Sequence, residues 1–200
     1  LVEQHLANKM LRSEYAEITK DLDPDAKGIL TRKYSKIRIL MENKDRLEII
    51  AKDVVSNFLA KQKLWKGKAM LVASTRLAAA RYADIISKIP DAPKCTCIIS
   101  DGNETISDST SDKKKDRHDE VSRHYKSKNK IRQLIENFID PKNDLKLLIV
   151  CDKYLTGFDS PITYIMYVDK PLKGHNLIQA ISRTSTVYKK KPNGIIIDYM

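Results

Sequence analysis

The chain has 200 residues, of which 42% are hydrophobic and 32% charged, and its net charge is +11. This composition fits one hydrophobic core, and no 18-residue apolar run or N-terminal signal pattern predicts a membrane-spanning or secreted protein. The excess of positive charge favours a polyanionic partner, most often nucleic acid, with a merely solvated basic surface as the alternative.

The first 40 residues are polar and mostly helical in pattern, and we interpret them as a helical connector. Residues 41–200 carry an alternation of short apolar runs and amphipathic segments. Residues 101–128 are polar without apolar periodicity, which predicts a basic loop or mobile insertion. The remaining predicted elements are helix 43–62, strand 68–74, helix 75–89, strand 95–100, helix 130–139, strand 146–151, strand 162–168, helix 175–184 and strand 194–200.

The alternation of strands with helices predicts an α/β fold. Because the strands are almost continuously apolar, we expect an open parallel sheet with helices on both faces and right-handed crossovers. Ligands of such sheets bind at the carboxyl ends of the strands. The candidate positions are therefore those that directly follow strands: Ser74, Thr75, Arg76, Ser100, Asp101, residues 152–159, Asp169, Lys170 and Asp198.

The three cysteines, Cys95, Cys97 and Cys151, are an odd number in apolar, strand-like segments. This pattern predicts reduced, buried thiols in a cytoplasmic protein. Cys95 and Cys97 share one face of a strand, but no further ligands stand at a suitable spacing, so we expect no metal site. The start at Leu1 and the strand-like final segment favour a piece of a longer protein.

The turn Thr156-Gly157-Phe158-Asp159 combines groups that suit a nucleotide or a nucleic acid. The Thr156 hydroxyl can meet a phosphate oxygen, Gly157 permits close backbone approach, and Asp159 can accept hydrogen bonds from sugar hydroxyls. Pro161 makes the entry to the next strand rigid. An ordinary turn is the alternative interpretation.

The helix at 175–184 places Gln179 and Arg183 on one face, because they are four residues apart. We expect Ile178 and Ile181 to point to the core and the polar face to point to the ligand edge, where arginine matches phosphate oxygens. Asp152, Thr156, Asp159, Gln179 and Arg183 are all predicted at that single edge. A solvated surface helix is the alternative.

The stretch LKLLIVCDKYLTGFDSPITYIMYVDKPLKGHNLIQAISRTSTVY resembles the second motor domain of the restriction subunit of type I restriction enzymes, which are superfamily 2 DNA translocases. TGFDSP resembles motif V, QAISRT motif VI and KAMLVASTRLAAARYADII motif IV. The resemblance covers roughly residues 41–200 and implies a RecA-like domain. It also implies ATP-driven translocation on double-stranded DNA, DNA cleavage by the same subunit, and modification and specificity subunits as partners.

By position, the resemblance assigns roles to individual residues. Gln179 and Arg183 are the catalytic candidates and face the nucleotide phosphates, and Gly157 and Asp159 flank the ribose. The resemblance assigns DNA contacts to Ser74, Thr75, Arg76 and Thr156, with a relay between sites as the alternative role of Thr156. The family usually has a second arginine three residues after the first, and this chain has Thr186 there.

The sequence contains no G-x-x-x-x-G-K-[ST] phosphate loop and no nuclease-like acidic cluster. We therefore expect ATP and Mg²⁺ to be held mainly by a first motor domain outside this chain, and the chain alone to be inactive. The alternatives are a degenerate RecA-like nucleic-acid-binding module without ATP hydrolysis and, less favoured, another superfamily 2 helicase.

A basic run covers residues 112–132, DKKKDRHDEVSRHYKSKNKIR. The usual meaning of such a run is a solvated segment. The functional alternative is a loop along the DNA backbone. In that case Lys113, Lys114 and Lys115 neutralise phosphates, together with Arg117, Arg123 and Lys126.

Overall fold

The computed structural model describes residues 37–100, 111–151, 158–172, 174–189, 191 and 193–200, without the side chains of 111–114 and 176. Its centre is a sheet of five parallel strands in the order β2-β3-β1-β4-β5. The strands are β1 (Lys68–Ala73), β2 (Cys95–Ile98), β3 (Leu147–Cys151), β4 (Thr163–Asp169) and β5 (Ile195–Asp198). All five strands were predicted, and β1, β3 and β4 are buried along their whole length, as their apolar runs predict.

Five helices accompany the sheet, and residues 37–41 are also helical. Asn43, Thr75 and Ser127 each accept a hydrogen bond from the backbone N–H three residues later, so a capping side chain fixes the start of three helices. The helices are α1 (Lys44–Gln62), α2 (Arg76–Ile86), α3 (Ser111–Ser122), α4 (Lys128–Ile139) and α5 (Gly174–Ser185). In the described part of the chain, no helix is long and apolar enough to cross a membrane.

The two faces of the sheet have separate hydrophobic cores. Alternate strand residues such as Leu71 and Tyr167 pack with α1 and α2 on one face. Their neighbours, such as Val72, pack with α4 and α5 on the other face. The helices therefore cover both faces, and the predicted open parallel sheet with helices on both faces is confirmed.

The predicted loop at 101–128 is wrong over residues 111–122, which form α3. Among the described side chains of this helix, Val121 alone is buried in the core, and residues 111–122 lack the apolar spacing that normally predicts a helix. Ion pairs hold the helix instead. Arg81 forms a two-pronged pair with Glu120, and Arg117 pairs with the buried carboxylate of Glu42. Residues 101–110 lie outside the description.

All three cysteines are free thiols, and Cys97 and Cys151 are buried whereas Cys95 is half-buried. Burial raises the pKa of Cys95 to about 11 and that of Cys97 to about 12. These thiols therefore stay protonated at neutral pH and lack the nucleophilic form.

Candidate functional site

Ser74, Thr75 and Arg76 lie together at the carboxyl end of β1, as the sequence predicts. The Thr75 hydroxyl accepts a hydrogen bond from the Ala78 N–H at 3.0 Å and so caps α2. Arg76 Nη1 donates to the Ser100 carbonyl at 3.1 Å, which joins the ends of β1 and β2. Ser74 Oγ is buried, and no hydrogen-bond partner for it lies in the described part of the molecule. Ser74 therefore has unused hydrogen-bonding capacity among the described residues.

A second polar group at the same edge surrounds Asp169, the last residue of β4, whose side chain is fully buried. Its carboxylate accepts hydrogen bonds from both terminal nitrogens of Arg46 in α1 and from the Tyr82 hydroxyl in α2 at 2.6 Å. Burial and the neighbouring Asp169 carboxylate both raise the pKa of Tyr82. Burial opposes the charged form of Arg46, but its bonds and attraction to Asp169 raise the Arg46 pKa overall. Asp169 thus holds α1 and α2 on the sheet.

Asp159 and Arg183 lie elsewhere, at the amino ends of the strands. Thr163 begins β4 beside Lys68, the first residue of β1, and the Thr163 hydroxyl bonds Ser160 Oγ at 2.9 Å. Asp159 directly precedes Ser160. Since β3 and β4 are parallel and consecutive, the connection between them must return from the carboxyl end of one to the amino end of the other.

Arg183 reaches the same end because α5 runs back along β4. The backbone of Thr184, next in sequence, packs so closely on Gly194 that a Cβ there would clash with it, and Gly194 directly precedes β5. The prediction that Asp159 and Arg183 share the carboxyl edge with the residues after β1 is therefore wrong. Asp152, Thr156 and Gly157, predicted at that edge, lie outside the described residues.

Arg183 is held against Phe158. Its Nη1 donates to the Phe158 carbonyl, and its guanidinium carbon lies 5.0 Å from the centre of the Phe158 ring. That ring in turn meets Phe138 of α4 edge to face, with 6.5 Å between the centres. Burial lowers the pKa of Arg183, and the charge of the exposed Asp159 carboxylate opposes this shift. The arrangement gathers a guanidinium, a carboxylate and an aromatic ring in one place.

The apolar residues of α5 do not face the core as predicted. Ile178 and Ile181 are 63% and 44% exposed, whereas Ala180 and Thr184 are buried. Thr184 tolerates burial because its hydroxyl bonds the Ile181 carbonyl at 3.0 Å. The small side chains let α5 pack tightly on the sheet, and this turns the isoleucines outward.

Gln179 is half-buried one turn before Arg183. Thr186 follows the end of α5, and its hydroxyl bonds the Ser182 carbonyl at 2.9 Å.

The basic run provides fewer outward cations than its composition indicates. Arg117 is used in the ion pair with Glu42, and Lys126 Nζ donates to the carbonyls of Cys97 and His124 at 2.7 and 3.1 Å. Lys115 is exposed. Lys113 and Lys114 lie on α3, and their side chains are outside the description. Among the described residues, no group of three or more His, Cys, Asp or Glu side chains is placed to hold a metal ion.

Sequence comparison places these elements in a known family. Residues 65–200 match the family model for type I restriction enzyme subunit R domain 3. The chain is 38% identical over its whole length to a Methanocaldococcus jannaschii protein whose name assigns it to the type I restriction enzymes, the MjaIXP endonuclease subunit. It is 37% identical, over 80% of its length, to the type I restriction enzyme HindI endonuclease subunit of Haemophilus influenzae. The chain spans only 18% and 15% of these two relatives.

Two solved structures are similar at low sequence identity. The structure of T4 UvsW matches with a TM-score of 0.49 and 12% identity over 92% of this chain and 30% of that one. The Pyrococcus furiosus Hef helicase domain matches with a TM-score of 0.48 and 15% identity, over 94% of this chain and 34% of that one.

Proposed function

The chain belongs to the type I restriction enzyme subunit R family, and from this premise we propose that it is the second motor domain of an ATP-dependent, DNA-translocating and DNA-cleaving subunit. The observation that carries the proposal is the contact of Arg183 with the segment Phe158–Asp159. Motif V and motif VI, which are 25 residues apart in sequence at this contact, thereby form one charged surface.

On this proposal, the surface around Arg183 faces a nucleotide bound to the first motor domain of the same subunit. The Arg183 guanidinium offers planar donors to phosphate oxygens and compensates the negative charge that develops during phosphoryl transfer. Gln179 contributes from the preceding turn of α5, and Asp159 together with Gly157 lies near the ribose. ATP and Mg²⁺ are held mainly by the first motor domain, where Mg²⁺ neutralises phosphate charge.

Double-stranded DNA is the proposed ligand of the opposite end of the sheet. Ser74 Oγ and Arg76 are the proposed phosphate contacts, with Lys113, Lys114 and Lys115 alongside them. Thr156, next to Gly157 in sequence, is the proposed relay between the nucleotide and DNA surfaces. Since the Thr75 hydroxyl caps α2, Thr75 contributes to DNA binding chiefly by shaping this turn. The net charge of +11 supports a polyanionic partner. In the assembled enzyme, the modification and specificity subunits are the further partners.

The two proposed surfaces lie at opposite ends of β1 and β4. A strand of six or seven residues separates its ends by roughly 20 Å, so one side chain cannot serve both ligands. The rigid sheet between them would let a movement imposed at the nucleotide surface shift the DNA surface as one body.

A nucleic-acid-binding module without hydrolysis is the second candidate, and Thr186 is the observation that favours it. A threonine that hydrogen-bonds within its own helix end cannot supply the charge of the usual second arginine. This candidate predicts DNA binding and no contribution of Arg183 to ATP turnover.

Steady-state ATPase of the complete subunit with saturating DNA distinguishes the two candidates. We expect Arg183→Ala to lower the rate at least about a hundredfold, because arginines in comparable positions contribute about 10³–10⁵, and to leave DNA affinity unchanged. Lys52→Ala, an exposed position of α1, is the control and should match wild type. An Arg183→Ala subunit as fast as wild type would refute the motor assignment. The 200-residue chain alone should not hydrolyse ATP.

A further inference from the structure

Phe158 contacts Arg183 in two independent ways. Its carbonyl accepts a hydrogen bond from Arg183 Nη1, and its ring lies under the guanidinium at 5.0 Å. Such a cation–π contact stabilises by about 0.5–2 kcal/mol, depending on exposure. Together the two contacts restrict both the position and the plane of the guanidinium.

The Phe158 ring is itself fixed from the opposite side. Phe138, a fully buried residue near the end of α4, meets it edge to face at an interplanar angle of 86°. Phe138 also lies 5.6 Å below the ammonium of the buried Lys68. The support of Arg183 therefore extends from α5 through Phe158 into the core beneath α4.

One hydrogen-bond donor of the Arg183 guanidinium is unsatisfied among the described residues. Its Nε is buried and has no hydrogen-bond partner among the described residues. An unsatisfied buried donor is costly, so the guanidinium is held in this place by the ring and the carbonyl and not by a full set of hydrogen bonds. The charge of Asp159 adds attraction without a hydrogen bond between the described atoms.

We propose that Phe158 is a positioning residue that fixes the direction in which Arg183 faces the nucleotide phosphates. The inference rests on the proposed function of Arg183. Preorganised donors accelerate phosphoryl transfer because the enzyme need not reorient them during the reaction, and a small misplacement of such a group lowers the rate. The Phe158 side chain therefore acts on Arg183 in addition to packing on the core.

The first test compares DNA-stimulated ATPase of complete subunits. Phe158→Leu keeps the apolar volume and the carbonyl but removes the ring, and we expect a five- to thirtyfold lower kcat with little change in KM, as about 1–2 kcal/mol implies. Phe158→Tyr keeps the aromatic ring and should have the kcat of wild type. Phe58→Leu is the matched control, because it removes a buried core ring from the other face of the sheet and leaves Phe158, Phe138 and Arg183 in place.

The same substitution in an Arg183→Ala background gives the decisive comparison. If Phe158 acts through Arg183, Phe158→Leu should change the residual rate less than twofold there. An equal loss in both backgrounds, or a loss as large in Phe58→Leu, would show that the ring acts only through the fold and would overturn the proposal. A wild-type rate in Phe158→Leu would overturn it too.

Chemical labelling separates this inference from the proposed function. The rate at which phenylglyoxal modifies Arg183, followed by mass spectrometry of the complete subunit, reports access to its guanidinium without ATP turnover. We expect labelling to be several times faster in Phe158→Leu and unchanged in Phe58→Leu. Unchanged labelling in Phe158→Leu would refute the holding role, whereas Arg183→Ala with wild-type ATPase would refute the nucleotide role.

Discussion

Arg46 in α1 and Asp169 at the end of β4 are 123 residues apart in sequence and form a buried ion pair, with 3.0 Å between Arg46 Nη1 and Asp169 Oδ2. The carboxylate is fully buried, and the arginine side chain is 23% exposed. A buried carboxylate needs such partners because its desolvation is costly. This ion pair holds α1 on β4. The hydrogen bond from the Tyr82 hydroxyl to the same carboxylate holds α2 there as well.

Arg46→Met should therefore strongly destabilise the domain. We expect the free energy of unfolding to fall by about 3–5 kcal/mol, because the change leaves Asp169 buried with an unpaired charge. Urea denaturation of the 200-residue chain measures this loss. Lys52→Met on the same helix removes an exposed pair with Glu48 and should leave the unfolding curve close to that of wild type. Equal curves for wild type and Arg46→Met would contradict the anchoring role.

Lys68 should make stability increase with pH above neutrality. Its side chain is 1% exposed, and Nζ donates to the carbonyls of Asn137 and Asp140 at 2.9 and 2.6 Å, at the carboxyl end of α4. Burial, aided by the charge of Lys146, lowers the pKa of Lys68 to about 8. Between pH 8 and the ordinary pKa of a lysine, Lys68 is protonated in the unfolded chain and largely neutral in the folded chain. The free energy of unfolding therefore rises with pH in that window.

Urea denaturation at pH 7.5 and pH 9 gives the measurement. Relative to Lys68→Met, wild type should gain about 1 kcal/mol between the two pH values. Subtracting the variant removes the titration of other groups, including the tyrosines with raised pKa values. A difference between wild type and variant that does not change with pH would show that Lys68 titrates normally in the fold.

DNA binding by the chain should be weak, independent of sequence and strongly dependent on salt. Each phosphate contact contributes about −0.9 to the slope of log K against log salt concentration. We expect Arg76→Ala to reduce the slope by about one contact, whereas Arg183→Ala, at the other end of the sheet, should leave it unchanged. Fluorescence anisotropy with unrelated duplexes between about 50 and 200 mM salt measures both. Affinity that is insensitive to salt would refute the electrostatic interface.

Thr186→Arg tests whether the missing second arginine limits ATP turnover. Thr186 follows α5 three residues after Arg183, and a guanidinium there could add transition-state stabilisation of the kind that contributes about 10³–10⁵ to the rate in related chemistry. We expect a severalfold higher DNA-stimulated ATPase rate in the complete subunit. Thr186→Gln, which is long but uncharged, should not raise it. If Thr186→Arg leaves the rate unchanged, another residue supplies this charge.

The sequence alone predicted the five strands of the parallel sheet and the family resemblance. Each strand is a run of apolar residues, and α1, α2 and α4 pack on the core through an apolar stripe, so local patterns indicated the order of elements. The motif stretches around Asp159 and Arg183 indicated the restriction-enzyme resemblance, which the family model confirmed. In contrast, α3 was missed because ion pairs with Arg81 and Glu42 stabilise it in place of an apolar stripe.

Only the tertiary structure showed where Asp159 and Arg183 lie. Sequence order places Asp159 soon after β3, but the parallel sheet forces the chain to return before β4, which moves Asp159 and Arg183 to the amino ends of the strands. The outward turn of Ile178 and the Phe158–Arg183 contact likewise depend on how α5 packs against the sheet. Local sequence patterns do not predict such contacts, because the two partners come together only when distant strands pair and helices pack on the faces of the sheet.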